Sequence, residues 1–282
     1  STLLIKFDSK SKSYYLNDDQ RDNLPDEKVI KKTTKFSNNL FPKINNGSLW
    51  TRNHGGNASN RFSSLKNINK DNLGKLNVAW KYEIEGKTFN DIQSNVIVAE
   101  KKIFIPSYNK KIICLDAING SFLWEVQLDD YAPRRGMLYN ENKRDQPSKL
   151  FFASYKKLIS LNATNGNFIK SFGNDGVVKL RYPSITSPAI YKDNLIITTS
   201  EPAIEIYNPK DGNLLWKYLL LEKQTNRNGG KRYDYSGANP WGGFSLDEER
   251  GIAYITTGNA GRYFNGVNRP GKNLHANSIV AL

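Results

Sequence analysis

The sequence contains one cysteine, Cys114, and two histidines, His54 and His275, among 282 residues. A single cysteine excludes an intrachain disulfide and any thiolate metal cluster. A zinc enzyme built on imidazoles, or a Ser-His-Asp hydrolase, would have to use one of the two histidines. Neither sits in a fitting motif, so both classes fall away. No run of about 18 apolar residues occurs, so no segment reads as a membrane-spanning helix. The opening Ser-Thr-Leu-Leu-Ile has no initiator methionine and does not read as a secretory signal, lacking a basic n-region and a long apolar core. Helix patterns are scarce. Asn67 to Leu76 is the tempting stretch, read as a loop with at most one helical turn that leads into a strand from Leu76 to Ile84.

Positive charge is plentiful, with 41 Lys and Arg against 27 Asp and Glu, for a formal net charge of +14. A basic balance raises the question of nucleic acid, because clustered cations displace counterions from phosphates. Here the lysines fall singly or in pairs in turns (Lys101, Lys102, Lys110, Lys111, Lys156, Lys157) without a basic helix or arginine stripe. The expectation is a solvated basic surface and no nucleic-acid partner. Hydrophobic residues at 38%, 12% of the chain being aromatic, suffice for a packed core.

Repeats decide the fold class. Ile112 to Leu128 (IICLDAINGSFLWEVQL), Leu158 to Gly173 (LISLNATNGNFIKSFG) and Ile204 to Leu220 (IEIYNPKDGNLLWKYLL) align. Asp116, Asn162 and Asn208 stand 46 residues apart in each step, as do Gly120, Gly166 and Gly212. Each unit reads as a hairpin: a strand, a turn opened by Asp or Asn and closed by Gly, and a second strand carrying Trp124, Lys170 or Trp216. Asx side chains cap such turns and Gly supplies the positive φ that closes them. Further strands are expected at Asn95 to Val98, Lys102 to Pro106, Leu150 to Ser154 and Ala189 to Thr199. Four strands per repeat is the content of a propeller blade, with the repeating tryptophan wedged between neighbouring sheets and Trp80 taking that role upstream. A β-sandwich is the alternative all-β architecture. The expected organisation is a polar N-terminal extension over residues 1–47 and a partial propeller over residues 48–282. Ser278 to Leu282 (SIVAL) resembles the strand before Asp116, so the sequence reads as stopping where the next turn should begin.

The hairpins LDAINGSFLW and YNPKDGNLLW resemble the repeat of pyrroloquinoline-quinone (PQQ) proteins, a repeat that non-catalytic scaffolds of outer-membrane barrel assembly carry too. Residues 59–80 (SNRFSSLKNINKDNLGKLNVAW) resemble the opening of quinoprotein alcohol and glucose dehydrogenases. Residues 237–271 (GANPWGGFSLDEERGIAYITTGNAGRYFNGVNRPG) resemble that family's N-x-W-G, T-G-N-P and R-P-G run. The resemblance implies an all-β, eight-bladed propeller, of which about four blades are present, holding PQQ and a divalent ion, usually calcium (Ca2+).

By the same resemblance, Trp241 is the floor beneath the quinone rings, where an indole face suits a planar cofactor and Gly242 and Gly243 leave room. Arg135 pairs with a cofactor carboxylate, a natural partner for a planar guanidinium. Thr186, Asn239 and Gln93 fall at positions that contact the quinone. Asn259 and, with the shortened segment after LIITT, Glu201 fall at the metal. Outside the resemblance, Trp241 reads as another inter-blade wedge, Asn259 as a turn cap and Arg135 as a solvated loop residue. Adjacent cysteines before Arg135, common in the alcohol dehydrogenases, are absent here, which argues against the methanol-dehydrogenase branch. The family oxidises an alcohol or aldose (a sugar), passing electrons to ubiquinone or a cytochrome on the periplasmic side. The resemblance thus implies possible membrane association through a segment outside this chain. Its catalytic base, an aspartate, is expected beyond Leu282, so the fragment is expected to be inactive alone. The alternative is a non-catalytic scaffold for protein assembly.

Overall fold

The computed structural model describes residues 4–8, 13–15, 49–84, 93–141, 147–220, 237–261 and 275–282. Sequence features outside these ranges, including the R-P-G end of the second family-like run, lie outside the described residues. In chain order the strands are β1 (Leu4–Asp8), β2 (Ser13–Tyr15), β3 (Ile97–Ala99), β4 (Lys102–Ser107), β5 (Lys111–Asp116), β6 (Phe122–Gln127), β7 (Leu138–Asn140), β8 (Lys149–Ser154) and β9 (Lys157–Asn162). They continue as β10 (Val177–Lys179), β11 (Ala189–Tyr191), β12 (Asn194–Thr199), β13 (Ala203–Tyr207), β14 (Leu214–Leu219), β15 (Phe244–Asp247), β16 (Ile252–Thr256) and β17 (Ile279–Ala281). Three sheets are four-stranded meanders, β3 to β6, β7 to β10 and β11 to β14. The fourth sheet runs β15-β16-β17 and continues with β1 antiparallel to β17, then β2. The described residues hold one 3-10 turn, Leu73–Lys75.

The inner strands β5, β8, β9, β12 and β13 are buried on both faces, which is why they read as near-continuous apolar runs. Successive side chains point to opposite faces of a strand. Along β8, Leu150 and Phe152 pack against the first sheet, while Phe151 faces the third. Along β12, Leu195 and Ile197 face the second sheet and Ile196 the fourth. The core is therefore a series of layers between neighbouring sheets, the arrangement of propeller blades.

The repeated turns form as the sequence predicts. Asp116 Oδ1 accepts the amides of Ile118 and Asn119 at 2.8 and 3.1 Å, Asn162 that of Thr164 at 2.8 Å, and Asn208 that of Lys210 at 2.9 Å. Gly120, Gly166 and Gly212 close these turns at φ of 72°, 76° and 76°. Each glycine also lies under a side chain from the segment or blade that precedes its own. A Cβ on Gly120 would come within 2.6 Å of the Trp80 ring, and one on Gly166 within 2.7 Å of Trp124. In the second unit, where Lys170 stands at the tryptophan position, Val178 takes the role, 2.5 Å from a Cβ on Gly212 of the third. Gly166→Ala combines a steric clash with a left-handed backbone and is expected to cost about 2–4 kcal/mol. Urea denaturation checks this, and a loss under about 1 kcal/mol contradicts the packing.

Three strand expectations are corrected. Residues 76–84 form no strand, because Trp80 attaches through its ring and an Nε1 bond to Ala117 O at 3.4 Å rather than through a ladder. Residues 189–199 divide into β11 and β12 at Lys192 and Asp193, both left-handed at φ 45° and 61°, as a tight hairpin matching the strand twist requires. In the second unit the outer strand is Val177–Lys179 rather than the stretch around Lys170, which turns inward instead to bury Phe172 against Phe151.

One segment ties the blades together. Trp50 exchanges backbone bonds with Val98 at the β3 edge, and Thr51 O accepts Tyr139 N of β7 at 2.7 Å. Asn57 Nδ2 reaches Ile190 O of β11 at 2.9 Å, and Asn57 O accepts Leu246 N of β15 at 2.8 Å. Residues 50–57 thus cross the first strand of every blade.

Candidate functional site

A cleft of about 370 Å³ opens where these first strands begin. That volume falls within the roughly 300–1,000 Å³ of small-molecule sites. Gln93 precedes β3, Arg135 precedes β7, Thr186 and Ser187 precede β11, and Trp241 to Gly243 precede β15; all line it. Arg52, Asn53, His54 and Ser59 of the crossing segment complete that wall, with Tyr254 and Thr256 from β16. Among the described residues no Asp or Glu lines it.

Two arginines set the electrostatics. Arg52 is 2% exposed. Its Nε donates to Pro188 O at 2.7 Å, Nη1 to Ser59 Oγ and Phe244 O at 2.9 and 3.0 Å, and Nη2 to Ser187 O at 3.0 Å. Its guanidinium also lies 4.6 Å from the Phe244 ring centre. Burial pulls its pKa down to about 9, so it remains a cation at neutral pH, matched by carbonyl dipoles and by no carboxylate. Arg135 donates from Nη1 to Trp241 O at 2.8 Å and stacks over the Trp241 ring at 4.6 Å. Its Nε is buried without a hydrogen-bond partner. Burial, then the neighbouring Arg134 cation, lowers the Arg135 pKa.

Trp241 stays 53% exposed with Arg135 in place, so its indole still offers a free surface. Its Nε1 abuts Gly258, where a Cβ would approach to 3.1 Å. Thr186 is buried and shares a 2.6 Å hydrogen bond with Thr198 Oγ1. His54, left-handed at φ 67°, faces Arg61 through a 3.1 Å contact between Nε2 and Nη2. Burial first, then Arg61 and Arg52, lowers its pKa.

The structure thus gathers Trp241, Arg135, Thr186 and Gln93 around one cleft and leaves three other candidates off its lining. Asn239 and Asn259 lie beside Trp241 on paired segments, where Ala238 N donates to Asn259 O at 2.5 Å and Gly258 N to Asn239 O at 3.3 Å. Glu201 is engaged elsewhere, in an ion pair with Lys217, whose ammonium also meets Glu205 at 3.1 Å. Among the described residues no three His, Cys, Asp or Glu side chains gather as a metal-ligand set. Glu201 is thus committed to Lys217, and neither it nor Asn259 lines the cleft, so a donor set for a metal is not assembled there from these two residues. A planar polyanion does fit: the lining is cationic and free of acids, Arg135 Nε lacks an acceptor, and Trp241 offers an open ring.

Sequence reasoning passed over Arg52 and set aside His54. The signal available was the polar run Arg52-Asn-His-Gly-Gly after Trp50, which does not reveal that carbonyls 136 and 192 residues away receive the guanidinium.

The family model for the glucose/ethanol/alcohol dehydrogenase β-propeller domain of PQQ proteins matches residues 50–282. The chain is 25% identical over 252 residues to the quinoprotein alcohol dehydrogenase PedH of Pseudomonas putida, covering 79% of this chain and 42% of that one. It is 26% identical over 270 residues to the quinoprotein glucose dehydrogenase of Escherichia coli, covering 79% and 34%. The quinohemoprotein alcohol dehydrogenase of Comamonas testosteroni superposes with a TM-score of 0.68 at 18% identity, over 85% of this chain and 40% of that one. The chain thus spans less than half the length of these relatives. On this match, and with its four propeller blades, the chain belongs to the PQQ-dependent alcohol and glucose dehydrogenase family.

Proposed function

We propose that this chain forms the cofactor-binding part of a quinoprotein dehydrogenase that oxidises an alcohol or aldose, with PQQ held in the cleft between Trp241 and the first strands. The observation that carries this reading is the pairing of an open indole with Arg135, whose buried Nε has no acceptor, in a cleft without acids. Trp241 supplies the apolar platform, Arg135 a donor for a ring carboxylate, and Thr186 and Gln93 polar contacts at its edge. When bound, PQQ supplies a two-electron acceptor for hydride from a carbinol carbon. The chain's own residues orient that acceptor and neutralise its carboxylates.

A general base is the missing part. Among the described residues no acid lines the cleft, and in the free protein the Nε2 lone pair of His54 accepts from Arg61, so no described lining side chain stands free to accept a substrate hydroxyl proton at neutral pH. Residues 1–282 alone are therefore expected to bind PQQ without turning over ethanol or glucose, with or without calcium. A dye-linked assay checks this, and sustained turnover contradicts it. Ubiquinone or a cytochrome as acceptor, and a periplasmic setting, belong to the same proposal. Titration with PQQ followed by tryptophan fluorescence tests the reading: saturable quenching at micromolar cofactor is expected, and its absence overturns the assignment.

A further inference from the structure

The segment carrying Arg52, His54 and Arg61 has a role in the cleft that the quinone platform leaves open. A guanidinium has only donors. The 3.1 Å contact between Arg61 Nη2 and His54 Nε2 therefore makes Nε2 the acceptor, and the imidazole proton resides on Nδ1. No hydrogen bond from Nδ1 is found among the described residues, and His54 lines the cleft. His54 also holds a left-handed backbone, φ 67°, that non-glycine residues rarely adopt, immediately before Gly55.

We propose that His54 is a ligand-binding residue of this cleft, donating from Nδ1 to a carboxylate of a planar polyanion, with Arg61 fixing its tautomer and the buried Arg52 cation reinforcing the site. This rests on the quinone reading of the cleft. The charged groups near His54 are all cations: Arg61 and Arg52 act on it directly, and Arg135 shares the cleft. Each favours the neutral ring in the free protein. A bound carboxylate opposes them, so uptake of a proton at Nε2, which breaks the contact with the exposed Arg61 guanidinium, and binding of the anion reinforce each other as pH falls below the ordinary histidine range. Sign and site are thus linked: affinity should rise toward acid pH, and through this residue.

Two substitutions separate a binding role from a structural one. His54→Gly removes the donor and suits the left-handed backbone, while His54→Asn keeps an N–H near the position of Nδ1 and tolerates the same backbone. The full chain and both variants are titrated with PQQ and with its uncharged trimethyl ester at pH 7.5 and pH 5.5. At pH 7.5, His54→Gly is expected to bind PQQ about tenfold more weakly with its melting temperature unchanged or raised, and His54→Asn to stay within about threefold of the unmodified chain. Affinity for the ester should be the same in all three. Lowering the pH should tighten PQQ binding by about threefold or more in the unmodified chain and by less than about twofold in His54→Asn. Equal PQQ affinity in His54→Gly, an equal loss for PQQ and ester, or the same pH response in His54→Asn overturns the proposal while leaving the quinone reading intact. Failure of the unmodified chain to bind PQQ overturns both.

Discussion

Arg52→Ala is expected to lower the unfolding free energy by about 3–5 kcal/mol, the largest stability effect of any single change at the cleft. The substitution strips donors from the carbonyls of Ser187, Pro188 and Phe244 and from Ser59 Oγ. Each buried acceptor left without a partner costs about 1–3 kcal/mol. The charge itself was costly to bury, which keeps the net effect below the sum. Because these acceptors belong to the third and fourth blades, the change should loosen the junction between them rather than one sheet. Arg52→Lys should recover little, since an ammonium cannot reach along the directions of a planar fork. Chemical denaturation of both variants checks this; a loss under about 1 kcal/mol for Arg52→Ala contradicts the stapling role.

Arg135→Leu is expected to act on ligand affinity instead, weakening PQQ binding by about thirtyfold or more, because removing one member of a desolvated charge pair costs about 2–5 kcal/mol. Stability should barely move. Among the described residues the Arg135 side chain makes one hydrogen bond, to Trp241 O, and one ring contact, both at the edge of the cleft. The contrast between the two arginines follows from what surrounds them. Arg52 has its donors committed to protein acceptors, whereas Arg135 keeps a buried Nε for a ligand. Isothermal titration of Arg135→Leu distinguishes the roles, and affinity within about threefold of the unmodified chain would show that Arg135 does not contact the cofactor.

Features of the fold that depend on local chemistry were legible in the sequence. The turns at Asp116, Asn162 and Asn208 close because an Asx side chain and a left-handed glycine within five residues suffice. Blade packing was legible to the extent that tryptophan recurs, and it broke down at Lys170, where Val178 of a displaced strand covers Gly212 instead. The hairpin at Lys192 and Asp193 was hidden because neither residue is glycine or asparagine, so composition did not announce a left-handed turn.

Of the candidate site, Trp241, Arg135, Thr186 and Gln93 share the cleft because they occupy equivalent places, just ahead of the first strand of successive blades. The resemblance of their flanking motifs to the quinoprotein family, rather than an even spacing, pointed to them. It does not carry ion pairing across a hairpin, and so it could not show that Glu201 is engaged by Lys217 of β14. Nor could it place Arg52, whose burial depends on two distant blades presenting carbonyls to one point.

The central claim is that Trp241 and Arg135 form a seat for a planar, carboxylate-bearing quinone. A crystal structure of the chain soaked with PQQ tests it most directly. The tricyclic ring should lie flat against the Trp241 indole with a carboxylate within hydrogen-bond distance of the Arg135 guanidinium. A ring bound away from Trp241, or carboxylates turned from both Arg135 and the 52–61 segment, would contradict it.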